Sequence, residues 1–392
     1  MLSKMRKTDF VIVVILLMFM LISYFEIHSA TTGKKYDGYD IRMMEYYAVG
    51  FVAFIGMTLI DYRIFVKYAT YIYLFGIALL ILVLFVGSTI NNAEGWLKLP
   101  GGLSLQPAEL FKLMLILSIT FVLVKKDKVR LSFWSDVVPL GLMTFVPFAI
   151  VMVQNDLGNA MSYIVILIGL LWIGNIKFTH ALIGFAIVSL LVSGGIFGYI
   201  KYHSQISTYL TDIGRAHWME RIDPWLVPEE ATEKAIYHTK NAKLAIASGG
   251  MTGEGYMKGT SVQSERVPVV YSDSIFVVVA EEFGFIGSSI LLLLYFILIH
   301  RMILISLEGH DRAGPYIVVG VISMLLYQIF ENIGMFIGIM PLTGITLPFI
   351  SYGGTSLIIN MASIGLINSI RIHQDETNDD LFLLSSSYLL GK

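Results

Sequence analysis

The chain of 392 residues contains no cysteine, so neither a disulfide nor a thiolate metal site can form. Charge is scarce as well. Asp, Glu, Lys and Arg make up 14% of the residues, against about 25% in a typical soluble domain. The two signs nearly cancel to a net charge of −2, which argues against a polyanionic partner such as nucleic acid. HExxH, CxxC, Walker and dinucleotide fingerprints are all missing, and no spacing singles out a Ser-His-Asp set. No short-period repeat is present either.

What is there is apolar. Hydrophobic residues reach 56%, above the roughly 45–50% of soluble domains, and they fall in long continuous runs. Runs of this length suit membrane-spanning helices and not the alternating strands of an outer-membrane barrel. The expected fold is an all-α polytopic membrane protein with about ten spans. They are Phe10–Phe25, Met44–Ile60, Tyr68–Val86, Ala108–Val124, Val137–Val153, Gly158–Ile173, Ala181–Tyr199, Ser274–His300, Tyr316–Met340 and Thr355–Ile370. The first follows Lys4, Arg6 and Lys7, but it is too long for a signal-peptide core and is read as an uncleaved helix.

An even count puts both termini on one side. The short connections and ends of that side carry Lys4, Arg6, Lys7, Arg63, Lys67, Lys125, Lys126, Lys128, Arg130, Lys177, Arg301, Arg312, Arg371 and Lys392. The opposite short connections carry only Lys34, Lys35, Arg42 and Lys98. The positive-inside rule therefore places both termini in the cytoplasm. One long connection, about 201–273, then lies outside, and a polar tail of about 371–392 lies inside. The loop holds Trp218, Trp225 and Tyr237, so ordered pieces on the membrane surface are expected. The whole is read as one transmembrane domain.

Specific residues gather on the outer connections. Asp273 stands where the polar loop meets the apolar run that follows, a costly position unless it binds something or does chemistry. A helix cap is the plain alternative. Glu109 and Lys112 sit three apart behind Pro107, on one helix face, either as a structural ion pair or with Lys112 on a phosphate. Asp156 either caps the helix after it or takes part in substrate or metal binding. Arg221, Lys240 and Lys243 are candidate phosphate ligands, each competing with the reading of a solvated surface charge. The run Gly249 to Gly255 reads as a tight re-entry turn. Pro341 to Ser356, with its prolines, glycines and Tyr352, reads as irregular backbone, tolerated at membrane depth only where it is buried or lines a cavity.

Five segments together resemble the SEDS family (shape, elongation, division and sporulation), which includes RodA, FtsW and SpoVE. They are Trp96 with Gln106-Pro107-Ala108-Glu109 and Lys112; Gln154 with Asp156-Leu157-Gly158; Ala245 to Gly250; Ser272-Asp273 through Glu281 to Gly287; and Asn332-Ile333-Gly334 through Pro341 and Gly344 to Ser351-Tyr352-Gly353-Gly354. They run in order from about the third span to the last. The resemblance implies a ten-helix glycosyltransferase that polymerises lipid II into β-1,4 glycan, usually beside a class B penicillin-binding protein. It places the family's essential loop aspartate on Asp273, which would act as base or hold a divalent cation, Mg²⁺ or Mn²⁺. The family's helix-four pair falls on Glu109 and Lys112, and the aspartate after helix five on Asp156. Arg221 and Tyr352 join these as candidate substrate contacts. The chain departs from the usual family pattern at Ser272 and Ser274 beside Asp273, at His238, and at Gly95 before Trp96. Asn332 to Pro341 leans to RodA and Thr346 to Gly354 to FtsW, with RodA favoured. A lipid II transporter and a non-catalytic scaffold are the rival readings.

Overall fold

The computed structural model describes residues 7–90, 93–98, 104–126, 130–212, 214–309 and 311–373. Lys4, Arg6, Lys128, Lys392 and the polar tail beyond residue 373 lie outside them. Each expected span falls on a helix: α1 Phe10–Thr31, α2 Tyr39–Leu59, α3 Ala69–Val86, α4 Pro107–Val124, α5 Val138–Val153, α6 Leu157–Ile173, α7 Phe178–Lys201, α8 Ile275–Glu308, α9 Ala313–Ile337 and α10 Gly354–His373. Among the described residues, eight helices are long and apolar enough to cross a membrane. In that set α5 is counted with the single π-turn, Phe133–Val137, that leads into it. α6, at 17 residues, is shorter, and α2 carries Asp40, Arg42 and Glu45 near its start. The chain is therefore a multi-pass membrane protein with an all-α bundle.

Two differences from the expected edges have physical causes. α1 continues six residues past Phe25 because Glu26 is buried inside the bundle instead of marking an exit. The connection between α3 and α4 holds a small antiparallel sheet, β1 Ser88–Ile90, β2 Ala93–Lys98 and β3 Ser104–Leu105, in the order β1-β2-β3. Strands of two to six residues leave almost no alternation to read in a sequence.

α10 lies along α2, α9 along α6, and α3 along α4. α10 is the most enclosed of the apolar helices, whereas α7 has no buried residue at all. At one end of the bundle Asp9 caps α1 by accepting from the Val11 and Ile12 amides. The same carboxylate pairs with Arg301, 2.5 Å away on α8, and with Arg371 on α10. Three helix ends are tied through one buried acid.

The long connection leaves from the other end. It contains the helices His203–Asp212, His217–Leu226, Glu233–Ser248 and Thr260–Gln263. Its glycine-rich run inserts into a break in α8, where Gly284 adopts φ +65°. The Glu254 and Gly255 amides donate to the Glu281 and Glu282 carbonyls (2.9 and 3.0 Å), and the Phe285 and Ile286 amides donate back to Gly250 and Met251 (2.9 and 3.1 Å). The backbone groups freed by the break are thereby satisfied. The Glu281 carboxylate takes the Ser261 and Val262 amides (2.7 and 2.9 Å), and Glu282 takes the Ser29 hydroxyl and the Met257 amide (2.5 and 3.0 Å). Both buried acids thus dock the loop.

A Cβ on Gly284 would stand 2.8 Å from the Gly249 oxygen, at a φ that L side chains rarely adopt. Gly284→Ala is expected to lower stability by about 1–3 kcal/mol, read as an earlier thermal transition in detergent.

Candidate functional site

A cavity of about 360 Å³ opens at the loop-bearing end of the bundle, within the range of roughly 300–1,000 Å³ seen for ligand sites. Of the expected site residues, Asp273, Glu109, Asp156, Arg221 and Tyr352 all line it.

Asp273 sits in a turn just before α8. Val269 opens that turn at φ +53°, a strained conformation for a β-branched residue, and its carbonyl accepts from the Ser272 and Ser274 amides (3.1 and 3.3 Å). The irregular segment between α9 and α10 is stitched to the same turn. Asn332 donates to the Asp273 and Ile345 carbonyls (2.8 and 2.7 Å), Ser351 to the Ser272 carbonyl (2.8 Å), and the Tyr352 amide to the Tyr271 carbonyl (2.9 Å). Three carbonyls of that segment find buried donors: Tyr47 donates to Phe349, Tyr295 to Pro348 and Ser23 to Ile350. This is how non-helical backbone survives deep in the bundle. Gly344 (φ +78°) lies against the carboxylate of Asp273, leaving 3.4 Å between Oδ2 and the place a Cβ would occupy.

Asp273 is enclosed by protein yet keeps a partly exposed side toward the cavity. Burial pushes its carboxyl up to about 6, while the Ser272 hydroxyl (2.9 Å) and the Arg221 guanidinium pull it down. A carboxyl tuned toward neutral pH in a cleft is what proton abstraction requires.

The opposite lining comes from the starts of α4 and α6. Asp156 caps α6 by taking the Asn159 amide (3.0 Å), and its second oxygen takes Gln106 Nε2 (2.7 Å) and Asn159 Nδ2 (2.9 Å). The capping reading is realised and the same side chain still faces the cavity. Lys112 lies 2.6 Å from Glu109 and has no exposed surface. The ion-pair reading is therefore the one the geometry realises, and Lys112 reaches the cavity only through Glu109. Arg221, from the helix His217–Leu226, donates to the Asn155 carbonyl at 3.4 Å. Lys240 and Lys243 are exposed on the helix Glu233–Ser248 and do not line the cavity.

With this geometry in view, a family described as cell cycle protein, FTSW_RODA_SPOVE, matches residues 5–376. The chain belongs to the SEDS family.

It is 34% identical over 352 residues to the peptidoglycan glycosyltransferase MrdB of Escherichia coli K12, covering 89% of this chain and 90% of that protein. It is 30% identical over 377 residues to stage V sporulation protein E of Bacillus subtilis 168, covering 94% and 98%. Among solved structures it resembles a chain from work on the structural coordination of polymerization and crosslinking by a peptidoglycan synthase complex. The TM-score is 0.76 at 25% identity, covering 95% of this chain and 99% of that one. This SEDS chain also brings residues to its cavity that no motif reading had singled out: Tyr39, Arg42 and Tyr46 on α2, and Tyr271 beside Asp273. Arg42 had counted only as one charge in a topology sum.

Proposed function

We propose that this chain is a peptidoglycan glycosyltransferase of the bacterial plasma membrane, polymerising lipid II with release of undecaprenyl pyrophosphate. The observation that carries the reading is the cavity that gathers Asp273 with Glu109, Asp156, Arg221 and Tyr352, in a family whose members bear that activity in their names. The ten helices are taken to cross the membrane with both termini cytoplasmic, and the cavity then faces the outer side where polymerised glycan is needed. Elongation, division or sporulation is the setting, and a class B penicillin-binding protein is the partner that would cross-link the product.

Lipid II carries an α-linked diphosphate, and the glycan is β-1,4 linked. One displacement with inversion joins them: the acceptor 4-oxygen bonds to the anomeric carbon as the bond to the diphosphate oxygen breaks. Asp273 takes the 4-hydroxyl proton. Arg221 lines the cavity, its charge acts on this carboxylate, and it supports the departing diphosphate. Glu109, held by Lys112, and Asp156, held by Gln106, present fixed acceptors to sugar hydroxyls. Among the described residues no group of three or more His, Cys, Asp or Glu could hold a metal alone. If a divalent cation, Mg²⁺ or Mn²⁺, takes part, Asp273 is the residue that would hold it in place of acting as base, and the ion would supply neutralisation of leaving-group charge.

Purified protein with labelled lipid II and either cation should form long glycan that muramidase degrades, and chelation should stop it. No glycan with any class B partner present would overturn the reading in favour of transport or scaffolding.

The pH profile follows from the raised carboxyl. A base must be unprotonated, so kcat/KM should fall below pH about 6 and plateau above it. A midpoint near that of a free aspartate, about 3.9, would contradict the burial of Asp273.

A further inference from the structure

The cavity has a second cation and a wall of tyrosines that the mechanism above leaves unused. Tyr39 and Tyr352 stack at 4.4 Å with 16° between planes, and Tyr271 packs on Tyr39 at 5.2 Å and on Tyr352 at 5.9 Å. All three rings are half-buried, and all three line the cavity beside Asp273. Arg42, exposed at the start of α2, also lines it, on the Tyr352 side of the cavity. Arg221 is held elsewhere, through the Asn155 carbonyl and by the Leu342 amide donating to its own carbonyl. The two guanidinium groups therefore come from different elements of the lining, Arg42 from α2 and Arg221 from the helix His217–Leu226.

We infer that Tyr39, Arg42 and Tyr352 form the acceptor subsite, which holds the lipid-linked disaccharide whose 4-hydroxyl attacks. This rests on the glycosyltransferase reading. Joining two lipid-linked sugar diphosphates requires two anions to be held at once, only one of which leaves. Arg221, coupled electrostatically to Asp273, serves the leaving diphosphate. The acceptor keeps its own diphosphate two sugar rings away from the attacking oxygen, and Arg42 supplies a separate cavity cation for it. Pyranose rings expose C–H faces that pack on aromatic carbon, so the tyrosine wall that lines the cavity together with Arg42 and Asp273 suits the intervening disaccharide. In the step itself the acceptor 4-oxygen bonds to the donor anomeric carbon. The electron pair of the broken bond leaves on the donor diphosphate, and the proton passes to Asp273.

The test uses the full chain in nanodiscs with two probes. A labelled lipid II whose 4-hydroxyl is blocked acts only as donor. An analogue with a carbon in place of the anomeric oxygen acts only as acceptor. Arg42→Gln and Tyr39→Ala should each raise KM for the acceptor about tenfold while donor KM stays within about twofold. Tyr39→Phe should behave as wild type, and Arg42→Lys should restore part of the loss, which separates binding from misfolding. Equal rises for donor and acceptor, or no change for either, would overturn the subsite. Wild type that joins the probes not at all would overturn the glycosyltransferase reading instead. In that case, binding of the acceptor analogue that is indifferent to Arg42→Gln would overturn the subsite as well.

Discussion

Asp273→Asn is expected to reduce glycan synthesis by roughly 10²–10⁴-fold, the contribution of a positioned general base, while the protein still folds. Burial already disfavours the charged form of this carboxyl, so a neutral isostere does not cost the fold a favourable charge. The Asn332 bond to the Asp273 carbonyl, with the Ser272 and Ser274 amides on the Val269 carbonyl, holds the turn regardless of the side chain. Expression, thermal transition and partner binding should therefore match wild type while turnover collapses. A variant that unfolds would mean that Asp273 serves as a structural cap. One that turns over normally would mean that it serves no chemistry.

The second large effect concerns stability. Lys112→Met leaves Glu109 charged and without its partner in an almost fully buried position, and this should cost about 3–5 kcal/mol. Replacing both residues by Leu and Met removes both charges and should return most of that stability, since an apolar pair of similar volume is tolerated where an orphan charge is not. Activity should not return with it, because Glu109 faces the cavity. The measurement is chemical or thermal unfolding of the single and double variants beside a polymerisation assay. Recovery of both stability and activity would reduce the pair to packing alone.

These contrasts show which parts of the molecule were legible in the sequence. Apolar run length located each expected span, because a span must bury about twenty residues in protein or lipid whatever its neighbours do. Pro107 behind Gln106 marked the start of α4, and the i,i+3 spacing of Glu109 and Lys112 marked their pairing, since both are local rules. The glycines and prolines from Pro341 to Gly353 marked irregular backbone for the same reason. Harder to read was everything set by distance in the chain. That Glu281 and Glu282 are docking points for the loop depends on amides some twenty residues earlier in the chain and on Ser29 in α1. Arg42 and Tyr39 meet Tyr352 across more than three hundred residues of sequence, and no periodicity encodes that meeting. Lys240 and Lys243 illustrate the converse. Their charge matched a phosphate ligand, but the exposed face of their helix does not line the cavity.

The most direct measurement reconstitutes the purified chain with the proposed class B partner in vesicles containing labelled lipid II, wild type beside Asp273→Asn. Glycan formed and lipid II carried across the bilayer are read from the same sample. The account predicts long glycan from wild type and almost none from Asp273→Asn. Equal glycan from both proteins, or lipid II crossing the bilayer in wild type with no glycan at all, would contradict it.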